Sequence, residues 1–487
     1  MTRQHMSVWV LILSLIVLAV LPAAPARAAT ITVTSKLDTS DPGHCRLRDA
    51  IIAANTNTAT GDCPAGTAGL DTIGFSLGNQ CNLIPCKIPL TGALPTVTED
   101  LTINGNNATI SGEHSFGVFD LGDVTVNISN LTIANGNVST TGGAIHMSDA
   151  VTGTTLTLTH IFFSGNHADI GGAIDEPSGA LTVINSNFSG NTAVTNSGAI
   201  NGSTLSTLRV VDSVFSNNTA GDNGGALALV SDATISGSAF SGNAAATGGA
   251  IVKAGRGNLQ LIESVFDNNA ATSATTGGGA IYAAQTTGQI TLTNVTISGN
   301  SAKNNGGGVR ASIVPLSLNN VTITNNLADS DNDGTGDGGG IITGLDTVQV
   351  QNSIIAGNFD TPGNAGGGLK TPDCAGTFLS RGYNLIGIND GCSGFVNDAN
   401  SDRVGSGARP ADPRLAALAN NGGSTQTHAL LPGSPAINAG NPLAPGSGGF
   451  ACAASDQRGI ARPQGSTCDI GAFEFEYRNL YLPLILR

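Results

Sequence analysis

The stretch FSGNHADIGGAI (163–174) returns as FSGNTAVTNSGAI (188–200), FSNNTAGDNGGAL (215–227) and FSGNAAATGGAI (240–251). Self-similarity at this period marks a unit that cannot bury its apolar face alone and must stack on its neighbours. The strands before the phrase share one frame. They are LTLTHIFFSGN (156–166), LTVINSNFSGN (181–191), LRVVDSVFSNN (208–218), ATISGSAFSGN (233–243), LQLIESVFDNN (259–269), ITLTNVTISGN (290–300), LSLNNVTITNN (316–326) and VQVQNSIIAGN (348–358), with weaker copies at 101–112 and 124–136. A polar or small residue follows each alternating pair, at Gly105, Asn130, His160, Asn185, Asp212, Gly237, Glu263, Asn294, Asn320 and Asn352, 25 to 32 residues apart.

Each unit offers three short extended pieces. One is an alternating pair such as Leu181-x-Val183. The next ends at a Phe/Ile column (Phe163, Phe188, Phe215, Phe240, Phe266, Ile297, Ile323, Ile355), and the third is a Gly-Gly-Ala-Ile piece. Stacking copies buries all three, which predicts an all-β chain wound as a right-handed parallel β-helix of about ten coils. At about 4.8 Å per coil the rod is roughly 50 Å long. Each inward Phe or Ile contributes about 1.5–3 kcal/mol of burial. The Asn after the Phe column (166, 191, 218, 243, 269, 300, 326, 358) is expected to take left-handed backbone at a turn, and the Gly pairs to supply positive φ at a corner.

Only 11% of the 487 residues are charged and 67 are Gly, but Thr, Val and Ile alternate throughout, so the chain reads as ordered and β-rich. The net charge is −14 with no basic stripe, which argues against a nucleic-acid partner. Residues 1–28 read as a secretory signal: Arg3, an apolar run from Val8 to Leu21, then Ala26-Arg27-Ala28 before the cleavage point. An uncleaved anchor is the alternative. After cleavage no membrane-spanning segment is expected.

Export makes the eight cysteines readable as disulfides: Cys45, Cys63, Cys81, Cys86, Cys374, Cys392, Cys452 and Cys468. Local pairing (45–63, 81–86, 374–392, 452–468) is the reading adopted among the 105 possible. Raw solenoid ends need caps. In the first of these, residues 29–100, Leu47, Ala50, Ile51 and Ala54 form a helical stripe suited to lie across the first coil.

The Gly-Gly-Ala-Ile and Phe-x-x-Asn phrases resemble the repeats of polymorphic outer-membrane proteins and, more broadly, the pectin-lyase-like β-helix superfamily, over residues 101–370. Cys45-Arg46-Leu47-Arg48-Asp49-Ala50 is similar to the Cys-Ser-Leu-Arg-Glu-Ala motif of bacterial surface proteins, with Arg for Ser and Asp for Glu. Residues 371–476, with DPRLAALANNGGSTQTHALLPGSPAINAGNP (412–442) and DQRGIARPQGSTCDIGAFEFE (456–476), resemble the C-terminal module called choice-of-anchor Q. These resemblances imply a C-terminal capping module and a bacterial protein that is secreted, extracellular or on the cell surface. They say nothing about catalysis. The tail 477–487 reads as a last strand or a sorting tail. No series of ten-residue alternating strands follows the coils, unlike a self-inserting barrel.

β-Helices often cleave acidic polysaccharides, so an active site has to be sought. The coils carry few basic residues, and none recurs in register with an acid pair. Asp175-Glu176, the one adjacent acid pair in the coils, reads as exposed and solvated. The only Trp lies in the leader, and Tyr282 is the one aromatic placed to face a sugar. His160 reads as a substitute in the Asn column, His428 as structural, and His146 and His167 as isolated; Asp398, Asn400 and Asp402 read as a turn. The strongest polar cluster is Asp329, Asp331, Asp333 and Asp337 in LADSDNDGTGDGGG (327–340), at positions 1, 3, 5 and 9 of a calcium-loop frame whose position-12 Glu is replaced by Gly340. Calcium and a solvated acidic loop are both open there, and no other cofactor is indicated. The leading expectation is a non-enzymatic structural or adhesive surface protein with an extracellular polysaccharide or protein ligand. The alternatives are a polysaccharide lyase or glycoside hydrolase and, less compatibly with a leader, an envelope or phage structural protein.

Overall fold

The computed structural model describes residues 28–78, 86–148, 153–344, 347–361 and 370–477. Residues 1–27 of the expected leader, the tail beyond Tyr477 and Cys81 with its expected bond to Cys86 lie outside them. The chain forms a parallel β-solenoid of about 11 turns. Like residues meet like from turn to turn. Leu158, Val183, Val210, Ile235, Leu261, Leu292, Leu318 and Val350 are successive register partners. The Phe column is continuous from Phe163 to Phe266 and passes into Ile297, Ile323 and Ile355. Its five rings stack with centroids 4.5 to 4.8 Å apart, the coil spacing itself.

Four strands, not three, make a turn. The fourth is a two- to five-residue Thr-Ala piece (His167–Ile170, Thr192–Asn196, Thr219–Ala220, Ala244–Ala245, Ala270–Ala271, Ser301–Ala302) that builds a separate six-stranded sheet. Such short pieces carry no periodicity for a sequence to show.

The turns reverse one expectation. The Asn after the Phe column does not take left-handed backbone; the residue before it does, from Gly165 (φ 62°) to Gly357 (φ 74°). The Asn side chain is freed to turn inward. Each Asn Nδ2 donates to the Oδ1 of the next, at 2.8 to 3.0 Å from Asn166 through Asn358, and also to a backbone carbonyl one turn behind. The ladder ends on Asp373, whose Oδ1 accepts from the Asn358 side chain and backbone and whose Oδ2 accepts from the Ile388 N–H. Burial nevertheless pushes this carboxyl up to about 6. A second inner ladder, from Ser353 through Asn384, ends the same way on buried Asp402. Gly171 and Gly172 show the corner: the first has φ 63°, and a Cβ on the second would lie 2.3 Å from the Gly198 carbonyl of the next turn.

Winding is not confined to 101–370. Strands Thr30–Val33 and Asp71–Phe75 already stack on Leu101–Ser111, and Cys374–Gly382, Leu385–Ile386 and Arg403–Val404 extend the far end. Helix α1 (Leu47–Thr56) packs against the first two of these strands and buries Leu47, Ala50, Ile51 and Ala54. Arg46 holds Asp49 through two hydrogen bonds, and Arg48 ties Asp38 to the Gly92 and Ala93 carbonyls. Disulfides Cys45–Cys63, Cys374–Cys392 and Cys452–Cys468 form as the local pairing predicts. Beyond residue 411 the chain doubles back along the outside of the solenoid. There Leu430, Ala436, Ile470 and Phe473 bury Ile354, Ala356 and Leu385. Among the described residues no helix is long and apolar enough to cross a membrane.

Candidate functional site

The acidic loop brings together three of its four predicted ligands. Carboxylate oxygens of Asp329, Asp331 and Asp333 lie within 4.8 Å of one another. Asp337 is not in this group; its Oδ1 accepts from the Thr371 hydroxyl at 3.0 Å. Asp329 is buried, and its two oxygens accept the Asp333 and Gly334 N–H groups at 2.9 and 3.1 Å. The Asp333 Oδ1 accepts both the hydroxyl and the N–H of Thr335, which holds its carboxyl below the usual range. Asp331 Oδ2 lies 3.7 Å from the Lys303 ammonium. These bonds shape the loop by themselves, and a cation there would draw on Asp329, Asp331 and Asp333.

Asp175 and Glu176 are not solvated. They are 5% and 0% exposed. The pair lies on one unbroken strand, Ile174–Ile184, whose register sends Glu176 into the interior against Gly202 of the next turn. Gly202 has no side chain to fill that place. The Leu181 and Thr207 amides face Glu176 without hydrogen-bond geometry, and burial raises its carboxyl well above the ordinary value. Three coil steps on, in the same inner row, sits buried Lys253. Its ammonium donates to the Val230, Ala254 and Arg256 carbonyls at 2.9 to 3.2 Å, and burial brings it down to about 8. Neither residue reaches solvent to act on a substrate. Neither burial could be foreseen from sequence, because each depends on the neighbouring turn.

Outward on the same strands runs a row that sequence reading did not assemble. Asp120, His146, Asp175 and Asn201 are successive register partners. His146 Nδ1 lies 3.1 Å from Asp120 Oδ1, which lowers that carboxyl, and Asn201 Nδ2 donates to Asp175 Oδ1 at 2.8 Å. The matching spacing of these four positions is the signal that would have found them. Asp120 and His146 line a pocket of about 410 Å³ with Leu94, Phe119, Val138 and Thr141, where the N-terminal region meets the first coils. The other named histidines lie apart from this row. His160 takes φ 55° in the Asn column, and His167 Nδ1 meets Thr192 Oγ1. His428 is buried between the Ala416 carbonyl and the Ser298 hydroxyl, and burial lowers its imidazole. The Arg310 guanidinium stands over Tyr282, 5.6 Å from the ring centroid, on the face a sugar would need.

Two turns place a left-handed residue, an inward Phe, a ladder Asn and a Gly corner in the same order: Asp212, Phe215, Asn218 and Gly224 in one, Glu263, Phe266, Asn269 and Gly278 in the next but one. Residues 212–229 and 263–284 match the family model for the Chlamydia polymorphic membrane protein (Chlamydia_PMP) repeat. In this protein every named position of that polymorphic membrane protein repeat is used for packing or turning: Phe stacks, Asn bonds along the ladder, Gly turns. No curated protein matches the chain.

Proposed function

We propose that this is a bacterial protein displayed on the cell surface or secreted, in which the solenoid is a rigid, non-enzymatic scaffold for binding. The carrying observation is the match of two turns to a membrane-protein repeat whose every signature residue here serves the stack. The Cys-Ser-Leu-Arg-Glu-Ala-like and choice-of-anchor-Q-like segments and the leader support export. Protease shaving of intact source cells tests the reading: release of solenoid peptides from unbroken cells is expected, and protection of the protein until lysis would refute it.

One observation favours a second reading, a glycoside hydrolase or lyase. Asp120 and Asp175 stand two coil steps apart, roughly 9.6 Å, near the 6.5–9.5 Å at which two carboxylates flank a water in inverting hydrolysis. Asp175 is buried and bound to Asn201, which fits a structural row better. Incubation with uronate polymers separates the two. Reducing ends or unsaturated products that vanish in Asp120→Asn would establish the enzyme.

A further inference from the structure

The returning C-terminal segment shows how this solenoid holds a second stretch of chain. Residues 450–457 climb across the turns along the left-handed column. Asn352 Nδ2 donates to the Phe450 carbonyl at 3.1 Å, Asn320 Oδ1 accepts the Ala453 N–H at 2.9 Å, and Asn294 Nδ2 donates to the Ser455 carbonyl at 2.8 Å. Left-handed backbone aims each Asn outward, where its amide reads main-chain groups of a segment crossing the coils. The cover then thins out. Thr425 bonds the Glu263 carbonyl, and the Ser424 hydroxyl lies over Gly237.

The column itself does not stop there. Asp212, Asn185, His160 and Asn130 continue it with φ between 47° and 55°. Among the described residues the side chains of Asp212, Asn185 and His160 have no hydrogen-bond partner. The adjoining outward row tells the same story in burial. Under the cover Ile354 and Thr296 are 0% exposed and Val265 2%. Past it Val214 and Phe162, in the same row by register, are each 39% exposed. An interface already built on one half of this face therefore continues, with two further Asn and two apolar side chains, onto a half that no described residue covers.

We propose that the track from Asn130 to Asp212, with Phe162 and Val214, is a docking site for a polypeptide segment of a partner protein, its main chain met by the amides of Asn130 and Asn185, the His160 imidazole and the Asp212 carboxylate as Asn294, Asn320 and Asn352 meet residues 450–457. The inference rests on reading the molecule as a binder rather than an enzyme. Four positions of the column at about 4.8 Å per step span roughly 14 Å, the reach of at least four residues even if fully extended. Binding at one track is accordingly weak and suited to repeated display. Asp212 favours a Lys or Arg in the partner.

The experiment uses the intact purified protein and a fluorescent peptide copying residues 449–458, with Ser for Cys452. Saturable binding in the micromolar to millimolar range is expected. It should weaken at least tenfold in Asn185→Gly, which removes the amide but keeps the left-handed backbone, and in Val214→Ser, both on the surface. The same peptide methylated at alternate backbone nitrogens should lose at least tenfold on the unaltered protein. Absence of saturation at millimolar peptide, or binding indifferent to both substitutions, overturns the proposal. So does self-association abolished by the substitutions, which would assign the face to a second copy, or hyaluronan oligosaccharides binding there in place of peptide. Because purified protein is used, the result is independent of where the protein resides in the cell.

Discussion

Glu176 occupies an inward position that the turns on either side give to Met147 and Gly202. Its carboxyl is buried with neither oxygen satisfied, a state that costs free energy with no return from a partner. Glu176→Met keeps the length and removes the polar atoms, and is expected to raise stability by about 1–3 kcal/mol, read as a higher urea midpoint. Asp373 is buried too, but its oxygens are used. Its folded value of about 6 stands above the ordinary 3.8. Between those values the folded chain holds a proton that the unfolded chain has lost, so stability falls as pH rises from about 4 to about 6 and stays lower beyond. At about 1.4 kcal/mol per unit the effect is roughly 3 kcal/mol. Asp373→Asn keeps an oxygen for Asn358, and the slope of melting temperature against pH over that window should flatten.

At the scale of elements, what a sequence shows is what each turn repeats. The Phe/Ile column, the Gly corner and the helical stripe Leu47-Ala50-Ile51-Ala54 recur or alternate, and each lies where the pattern places it. The Thr-Ala strand escaped because two residues have no period. The inward turn of the ladder Asn escaped because it follows from a left-handed residue one place earlier. The Asp120–His146–Asp175 row escaped because register, not adjacency, assembles it. The loop at 329–337 was legible as a cluster but not in its hydrogen bonds, and those bonds give a prediction. Asp329→Ala should lower the melting temperature equally with and without millimolar calcium, losing about 1–2 kcal/mol of turn capping. Asp331→Ala should be silent in calcium-free buffer; a difference confined to calcium would give the loop an ion.

The whole molecule is a rod covered on one side along part of its length. Turns that meet the returning segment, from Val265 to Ile354, have a second layer over them; those from Asn130 to Asp212 have none among the described residues. Local opening follows such differences in cover. Backbone amides of the Phe-column strands should therefore exchange hydrogen more slowly at 296–298 and 322–324 than at 187–189 and 214–216, and equal rates would show the stack opening as one unit. The inner Asn ladder also gives the rod a direction. Every amide passes its N–H toward the C-terminal end, and Asp373, which has none to pass on, is the full stop. Whole-turn duplications can thus lengthen this molecule anywhere upstream of that residue while keeping the sentence grammatical, whereas a turn added after it would begin with no donor to greet it. Variation in the length of such rods is expected to accumulate on one side of a fixed terminus.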